Sequence, residues 1–452
     1  MPNKNGAVDS YLRARLDNYI AETSKLCAQP SVSARSEGTK ECGQLVAEIL
    51  KSHGLQVQSF QTPGNPVIVG HTKGRSSRTL LFYNHYDVQP PEPLELWTSP
   101  PFKPTVRNGA LYARGAKDDK GELIARLAAM DAVRSANGGE LPCNVTFVVE
   151  GEEEITSPHI AQFVQENLSS LKCDGAIWEE GSVDSQNRPV LSLGRRGILA
   201  VELEVQTMKR DAHSGGASTL PNAAWRLLWA LASLKGPDER IRIPGFYDHA
   251  LPPSPYDLKL LTAEPSDEEQ IRTEFGLKEF LRNATGEAYK RAVFEPTCNI
   301  QGVGSGYQGS GIKTVIPARA TAKVDFRLVP NQDPKDIFEK LRYHLDQQGF
   351  SDVNTKWLGA MWPNKVAGDH PLVALTARTG EEVYGKPSVL IPMTGGSSPV
   401  YAFADPLKIP VVTAGVGYPG SRVHAPDEHV RLNDFLNAAR HIARILDGFA
   451  EL

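Results

Sequence analysis

His85, Asp87, Asp118, Glu153, Glu154, Glu180 and His424 supply two imidazoles and five carboxylates from widely separated parts of the chain. Several follow directly on apolar runs. These read RTLLFYNHYDV (78–88), NVTFVVEGEEE (144–154), GAIWEEG (175–181) and IPVVTAGVG (409–417), the last shortly before His424. Such runs read as buried β-strands of an α/β sheet, and ligands gather at the carboxyl ends of strands in sheets of that kind. Imidazoles and carboxylates converging there suit a pair of divalent metal ions, and such a pair points to hydrolysis.

Each segment also has a plainer reading. His85 ends a strand and Asp87 lies two residues on, so an extended chain puts both on one face. A metal-bound imidazole usually gives its other N–H to a carboxylate or carbonyl, a role open to Asp87; a histidine satisfied in a polar loop is the alternative. Asp118 and Asp119 open a helix between Gly115 and Gly121. Capping explains one of them, and a carboxylate held rigidly at a helix start can bridge two cations. EGEEE (150–154) packs four glutamates into five residues at a strand end. They repel one another unless cations are present or some are protonated. A solvated turn is the alternative; next to a buried strand, one glutamate can bind metal while its neighbour acts as general base. Glu179 and Glu180 end their strand in the same manner, and His424 offers a nitrogen ligand for a second ion. His213, in DAHSGG (211–216), can take part only by domain closure or across a dimer. In GGSSP (395–399) backbone N–H groups ahead of a short helix could hold a carboxylate, or the segment is a plain turn. Gly304–Gly309 matches the GxGxxG pattern, but a strand pattern with a proline follows instead of a helix, which argues against a dinucleotide site.

The elements that must position these residues come in two styles. Residues 8–54 read as two helices, and strands and helices then alternate to about residue 193. Asp118 falls where the N-cap of a helix over 119–136 belongs. This rhythm predicts a mostly parallel sheet covered on both faces. Past Gly194-Arg195-Arg196-Gly197 the pattern changes. ILAVELEV (198–205) and ATAKVDFRLV (320–329) alternate apolar and polar, with helices over 221–234 (Pro221 in its first turn) and 333–349, and a polar, proline-broken insertion at about 236–292. A small α+β domain with one open sheet and helices on one face fits, and dimer formation would cover its free edge. After about residue 365 the first style returns. The expected organisation is therefore 1–194 and 363–452 as an α/β catalytic domain, with 195–362 inserted as a ferredoxin-like α+β dimerisation or lid domain.

At 452 residues the chain is long for one domain. A net charge of −4 gives no reason to expect nucleic acid or an anionic membrane as partner. No run of about 18 apolar residues is present, and the N-terminus lacks the apolar core of a signal peptide. The five cysteines are odd in number and include no CxxC pair, which argues against a disulfide framework or a cysteine zinc site and suits a reducing cytoplasm.

Taken together, NHYDV, ARGAKDDKG, EGEEE, WEEG, DAHSGG, IPARATAKVDFR, TGGSSP and VHAPDE resemble the M20 family of di-zinc peptidases and amino-acid amidohydrolases, in family order over nearly the whole chain. DVQP, LYARGAKDDKG and the GGS loop place the resemblance nearest the dipeptidase, carnosinase-like branch. The resemblance implies that Asp118 bridges two divalent ions, zinc first, with manganese or cobalt as alternatives. His85 and Glu180 complete one shell, Glu154 and His424 the other. Glu153 is the general base acting on a water between the ions, and Asp87 orients His85. His213 stabilises the oxyanion from the neighbouring subunit of a homodimer, and Arg327 holds the substrate carboxylate beside Gly395, Gly396 and Ser397. The implied activity is hydrolysis of dipeptides or short peptides. N-acyl or N-carbamoyl amino acid hydrolysis is the nearest alternative, and a non-catalytic homologue binding similar ligands the more distant one.

Overall fold

The computed structural model describes residues 4–452. The described residues divide into two compact units: residues 4–193, 366–391 and 399–452 in one, and residues 194–365 with 392–398 in the other.

The first unit is built on a six-stranded sheet. Asn144–Glu150, Thr79–His85, Gly175–Trp178 and Val411–Thr413 lie side by side and parallel. Val67–Thr72 and then Gln56–Phe60 extend the sheet antiparallel at one edge. The sequence pattern follows from this placement. Parallel strands are covered on both faces, so Leu80 and Phe82 are as fully buried as Leu81 and Tyr83. On one side Leu81, Tyr83, Val148, Ala176 and Trp178 pack with residues of the helices Ile160–Glu166 and Tyr401–Leu407. Tyr83 and Trp178 stack at 3.8 Å between ring centroids. Lys4–Ala28, Lys120–Ala136 and Leu432–Phe449 form a separate layer of mutually packed helices. Burying each large apolar side chain contributes about 1.5–3 kcal/mol, which fixes strand register and with it the level of the strand ends.

That register matters for chemistry. His85 pairs with Glu150. Phe82 pairs with Ile177, and Glu180 follows three residues on, just past the end of that strand at Trp178.

The second unit carries a four-stranded antiparallel sheet in the order Thr297–Ser305, Arg319–Leu328, Gly197–Gln206, Asn354–Met361. Helices Ala223–Leu234 and Pro334–Gln347 pack on it around Leu203, Val324, Phe326 and Leu341. This is the ferredoxin-like arrangement of alternating strands and helices. An insertion between the helix Ala223–Leu234 and the strand Thr297–Ser305 holds three short helices, Pro255–Ala263, Glu268–Phe275 and Gly286–Arg291.

Two local expectations need correction. The helix after the Asp118-Asp119 pair starts at Lys120, so its N-cap is Asp119, and the Asp119 side chain makes no capping hydrogen bond. Asp119 is instead held by the strand beside it, as described below. Pro221 lies outside its helix, because Asn222 takes the cap and accepts the N–H groups of Ala224 and Trp225. No helix among the described residues is long and apolar enough to cross a membrane.

Candidate metal centre

The first unit brings the scattered residues together at the carboxyl ends of its strands. Asp118 is the hub. Its Oδ1 lies 3.1 Å from His85 Nε2, and its Oδ2 lies 3.2 Å from His424 Nε2. His424 Nε2 is also 3.1 Å from Glu154 Oε2. One ligand atom each from Asp118, Glu154 and His424 fall within 4.8 Å of one another. Ligand bonds of about 2.0–2.2 Å give tetrahedral edges of roughly 3.3–3.6 Å, so donors at these spacings suit a shared cation. A carboxylate with one oxygen toward each imidazole is also the arrangement a bridge between two ions requires. The donor set of imidazole and carboxylate, with no thiolate, suits zinc, manganese or cobalt.

His85 and the glutamate turn are held by neighbours. His85 Nδ1 donates to the Asp87 backbone carbonyl at 3.0 Å, which leaves Nε2 to face Asp118. The Asp87 carboxylate is the other acceptor within reach. It stands farther off, with Oδ1 at 3.4 Å, and is engaged elsewhere: Oδ1 accepts the Glu153 N–H at 3.1 Å and Oδ2 the Glu154 N–H at 3.0 Å. Asp87 therefore fixes the glutamate turn with its side chain and the histidine with its main chain. Gln89 donates its backbone and side-chain N–H groups to the Glu154 carboxylate.

The acidic run divides its labour by direction. Glu150 points to Tyr83 and to Ser157, Glu152 pairs with His159 at 2.7 Å, and Glu154 reaches His424. Glu153 makes none of these contacts. Burial pushes its carboxyl up, with Glu154 and Asp118 adding and His85 opposing, to about 8. Glu179 is buried with one oxygen accepting the Trp178 ring N–H at 3.0 Å, and burial with Glu153 nearby holds it well above the carboxylate range. Glu180 stands close enough to Lys117 to favour its charged form, after Asp118, Glu122 and Asp119.

The charges elsewhere in the group answer one another. Burial pushes Asp118 up, yet Lys117, His424 and His85 outweigh it and hold the carboxyl well below its usual range. His424 is raised to about 10, first by Asp118 and then by Glu154. His85 is raised well above neutral: burial opposes its charge, and the bonds to Asp118 and Asp87 outweigh that. Imidazoles this strongly drawn to carboxylates occupy positions where cations would do the same work.

Sequence patterns missed part of the support. Glu428, four residues after His424, is fully buried and accepts hydrogen bonds from Arg114, Gly115, Lys117 and Asp118. Arg126 donates to the Tyr83 carbonyl, Asn84, Glu122 and the Trp178 carbonyl, tying two strand ends to the helix behind them. Asp119 accepts from Asn84 at 2.6 Å and from the His85 N–H at 3.0 Å. A charged residue in an ordinary amphipathic helix reads as surface, and only the DE pair closing VHAPDE pointed toward Glu428. Gly115 turns the chain ahead of Asp118 at φ +85°, a conformation that favours glycine.

The other expected residues belong to the second unit and have their partners there. His213 is exposed; its Nδ1 accepts the Gly215 N–H at 3.0 Å and its Nε2 lies 3.1 Å from the Thr314 hydroxyl. Arg327 donates to the Ser397 hydroxyl at 2.8 Å. The Gly396 carbonyl accepts the Arg196 N–H at 3.0 Å, and open space lies where Gly395 and Gly396 would carry side chains. The short helix beyond starts only at Tyr401. Arg327 stands opposite Ile198, so Arg196 shares its sheet face two residues earlier. The Arg196 guanidinium is lowered to about 10, by burial and then by Arg327. Two cations on one face make an anion the natural visitor.

The model of peptidase family M20/M25/M40 matches residues 81–448. A Cys-Gly metallodipeptidase from Schizosaccharomyces pombe is 27% identical over 94% of this chain and 94% of its own length. A Beta-Ala-His dipeptidase from Mus musculus is 31% identical over 73% of this chain and 69% of its own. Among solved structures, an M20 family metallo-carboxypeptidase from Sulfolobus solfataricus superposes with a TM-score of 0.89 at 34% identity, covering 96% of this chain and 99% of the other. The matched stretch runs through the strand ends, the acidic turn and the His424 loop, and on that footing the chain belongs to peptidase family M20/M25/M40 and is a hydrolase.

Proposed function

We propose that this hydrolase cleaves the amide bond of dipeptides or short peptides with two divalent ions, zinc first, at the centre built on Asp118. The observation that carries the reading is the division of the Asp118 carboxylate between His85 and His424, with Glu154 beside the second and Glu153 left out of the contacts. His85 and Glu180 would hold one ion and Glu154 and His424 the other. Bound there, the ions would supply Lewis acidity toward the scissile carbonyl and toward water.

The chain's own residues do the rest. Glu153 takes a proton from the attacking water at its carboxylate and delivers it to the leaving amine nitrogen. Its turn is fixed by Asp87, so the base is aimed before substrate arrives. His85 presents Nε2 because its other nitrogen is occupied. His213, contributed by a second copy of the chain, donates to the developing oxyanion. Arg327 holds the substrate's terminal carboxylate with Ser397 and the open Gly395-Gly396 turn beside it.

A homodimer would cover two apolar surfaces of the second unit. Thr297–Ser305 is an edge strand with Ile300 and Val303 half-exposed, and Trp225, Leu228 and Trp229 are exposed on one helix. Five free cysteines, four of them buried, favour a reducing cytoplasm.

Likeness to a metallo-carboxypeptidase favours a second reading, release of C-terminal residues from longer peptides. Both readings require a free carboxylate on the substrate. Metal analysis together with a panel of dipeptides, longer peptides, and N-acyl and N-carbamoyl amino acids under zinc, manganese or cobalt separates them. Dipeptide turnover that depends on metal supports the proposal. Turnover of acyl or carbamoyl amino acids alone moves the function to that class, and turnover of none with no metal bound removes catalysis.

A further inference from the structure

Glu428 and the loop 113–118 form an arrangement that a hydrolytic mechanism does not by itself require. The Glu428 side chain is 0% exposed. Its Oε2 accepts Arg114 Nη1 at 2.7 Å and the Gly115 N–H at 3.0 Å. Its Oε1 accepts the N–H groups of Lys117 and Asp118, each at 3.0 Å. Its backbone carbonyl accepts the Ala113 N–H at 3.1 Å. The loop lies between a short strand and a helix, so these N–H groups have no ladder to join, and buried N–H groups must find acceptors. A neutral side chain could not satisfy them all; an ionised carboxylate accepts at both oxygens, and charge-assisted bonds of this kind are the stronger class.

The same residue closes the loop that carries His424. His424 and Asp427 both sit at φ +61°, a conformation unusual for such residues that the surroundings must hold in place. Asp427 accepts from Thr98 and Arg107 on the outer side, and Glu428 grips 113–118 on the inner side. A single turn of chain thus fixes His424 and, through Glu428, the backbone of Asp118.

We propose that Glu428 is the positioning residue of the metal centre, setting Asp118 against His424 before any ion is bound. This rests on the reading of Asp118 and His424 as metal ligands. Because Asp118 would be shared, loosening it weakens both ions, whereas a buried ion pair with only a structural role would lower stability and leave the affinity of folded molecules unchanged.

Titration of the full chain with zinc against a chelator of known affinity tests this, comparing wild type with E428Q and E428D. Both zinc equivalents are expected to weaken by about 10–100-fold in E428Q, the usual cost of losing a residue that orients a ligand, and less in E428D, which keeps the charge. Wild-type affinity at both equivalents in folded E428Q overturns the proposal. Should E428Q not fold, hydrogen exchange in the metal-free wild-type protein decides: protection of the Gly115, Lys117 and Asp118 amides supports a preset loop, and exchange at open-loop rates overturns it. Wild-type protein that binds no zinc brings down the reading of the centre itself, a failure distinct from that of Glu428.

Discussion

The residues of the first unit that would bind metal and those of the second that would meet substrate are built differently. Around Asp118 several groups have a neighbour that fixes them: Asp87 for His85 and the glutamate turn, Gln89 for Glu154, Glu428 for the Asp118 backbone. His213 in the second unit is exposed and leans on a turn N–H and one hydroxyl, and Arg327 has Ser397. The contrast is what the chemistry calls for. Ligands that share one carboxylate tolerate little error in placement, so their supports are built in. Groups that grip a substrate can be brought to order by the substrate itself.

Substitutions can break this comparison at its strongest point first. Glu153→Ala should lower kcat by about 10²–10⁴-fold, the span of general base catalysis, while elemental analysis still finds two ions per chain. Loss of metal in that variant would make Glu153 a ligand and shift the division of the acidic turn by one residue. His213→Ala should lower kcat by about 10²–10³-fold, as for a lost oxyanion donor, with metal content intact. Unchanged kcat would take the second unit out of the chemistry. Arg327→Met should act mainly on KM, raising it about 10–100-fold for a dipeptide, since a hydrogen bond to a charged group contributes about 1.5–3 kcal/mol. A dipeptide amide, lacking the carboxylate, should show little difference between the two enzymes; an equal loss on both substrates would assign Arg327 to the fold.

A last substitution, read in stability and not in turnover, probes the frame behind the centre. His53 ends one helix and bonds Asp131 and Glu22 on two others, at 2.6 and 3.0 Å. Burial opposes its charge, but those carboxylates raise it from 6.5 to about 9. The folded chain therefore keeps a proton that the unfolded chain releases. The stabilisation is complete below pH 6.5 and is lost as pH rises through about 9. The stability gap between wild type and His53→Gln should accordingly be on the order of 2–3 kcal/mol at the acid end and shrink as pH rises, as read by urea unfolding. A gap that widens with pH would reverse the assignment.

Much of this was legible in the sequence because burial writes a period. The runs ending at His85, Glu150 and Trp178 are continuous because both faces of a parallel sheet are covered, and the alternation in 198–205 marks a sheet covered on one. The supports were harder to see. Arg126 and Glu122 sit on a helix at positions that look like a solvent face, yet both are buried among strand ends. Glu428 meets its partners more than 300 residues away in sequence, and its place in VHAPDE does not disclose which groups it accepts from. The sequence pattern puts Asp118 at the helix cap, whereas it lies one residue before it, since a cap is set by backbone angles that residue type only suggests. Spacing and resemblance both point Asp87 at His85, but neither says whether the carboxylate or the carbonyl does the holding.

Anomalous diffraction from crystals soaked in zinc tests the central claim most directly. The expected result is two peaks sharing the Asp118 carboxylate, one bonded to His85 and the other to His424 and Glu154. A single peak, or zinc at His85 and His424 with no common carboxylate between them, would contradict it.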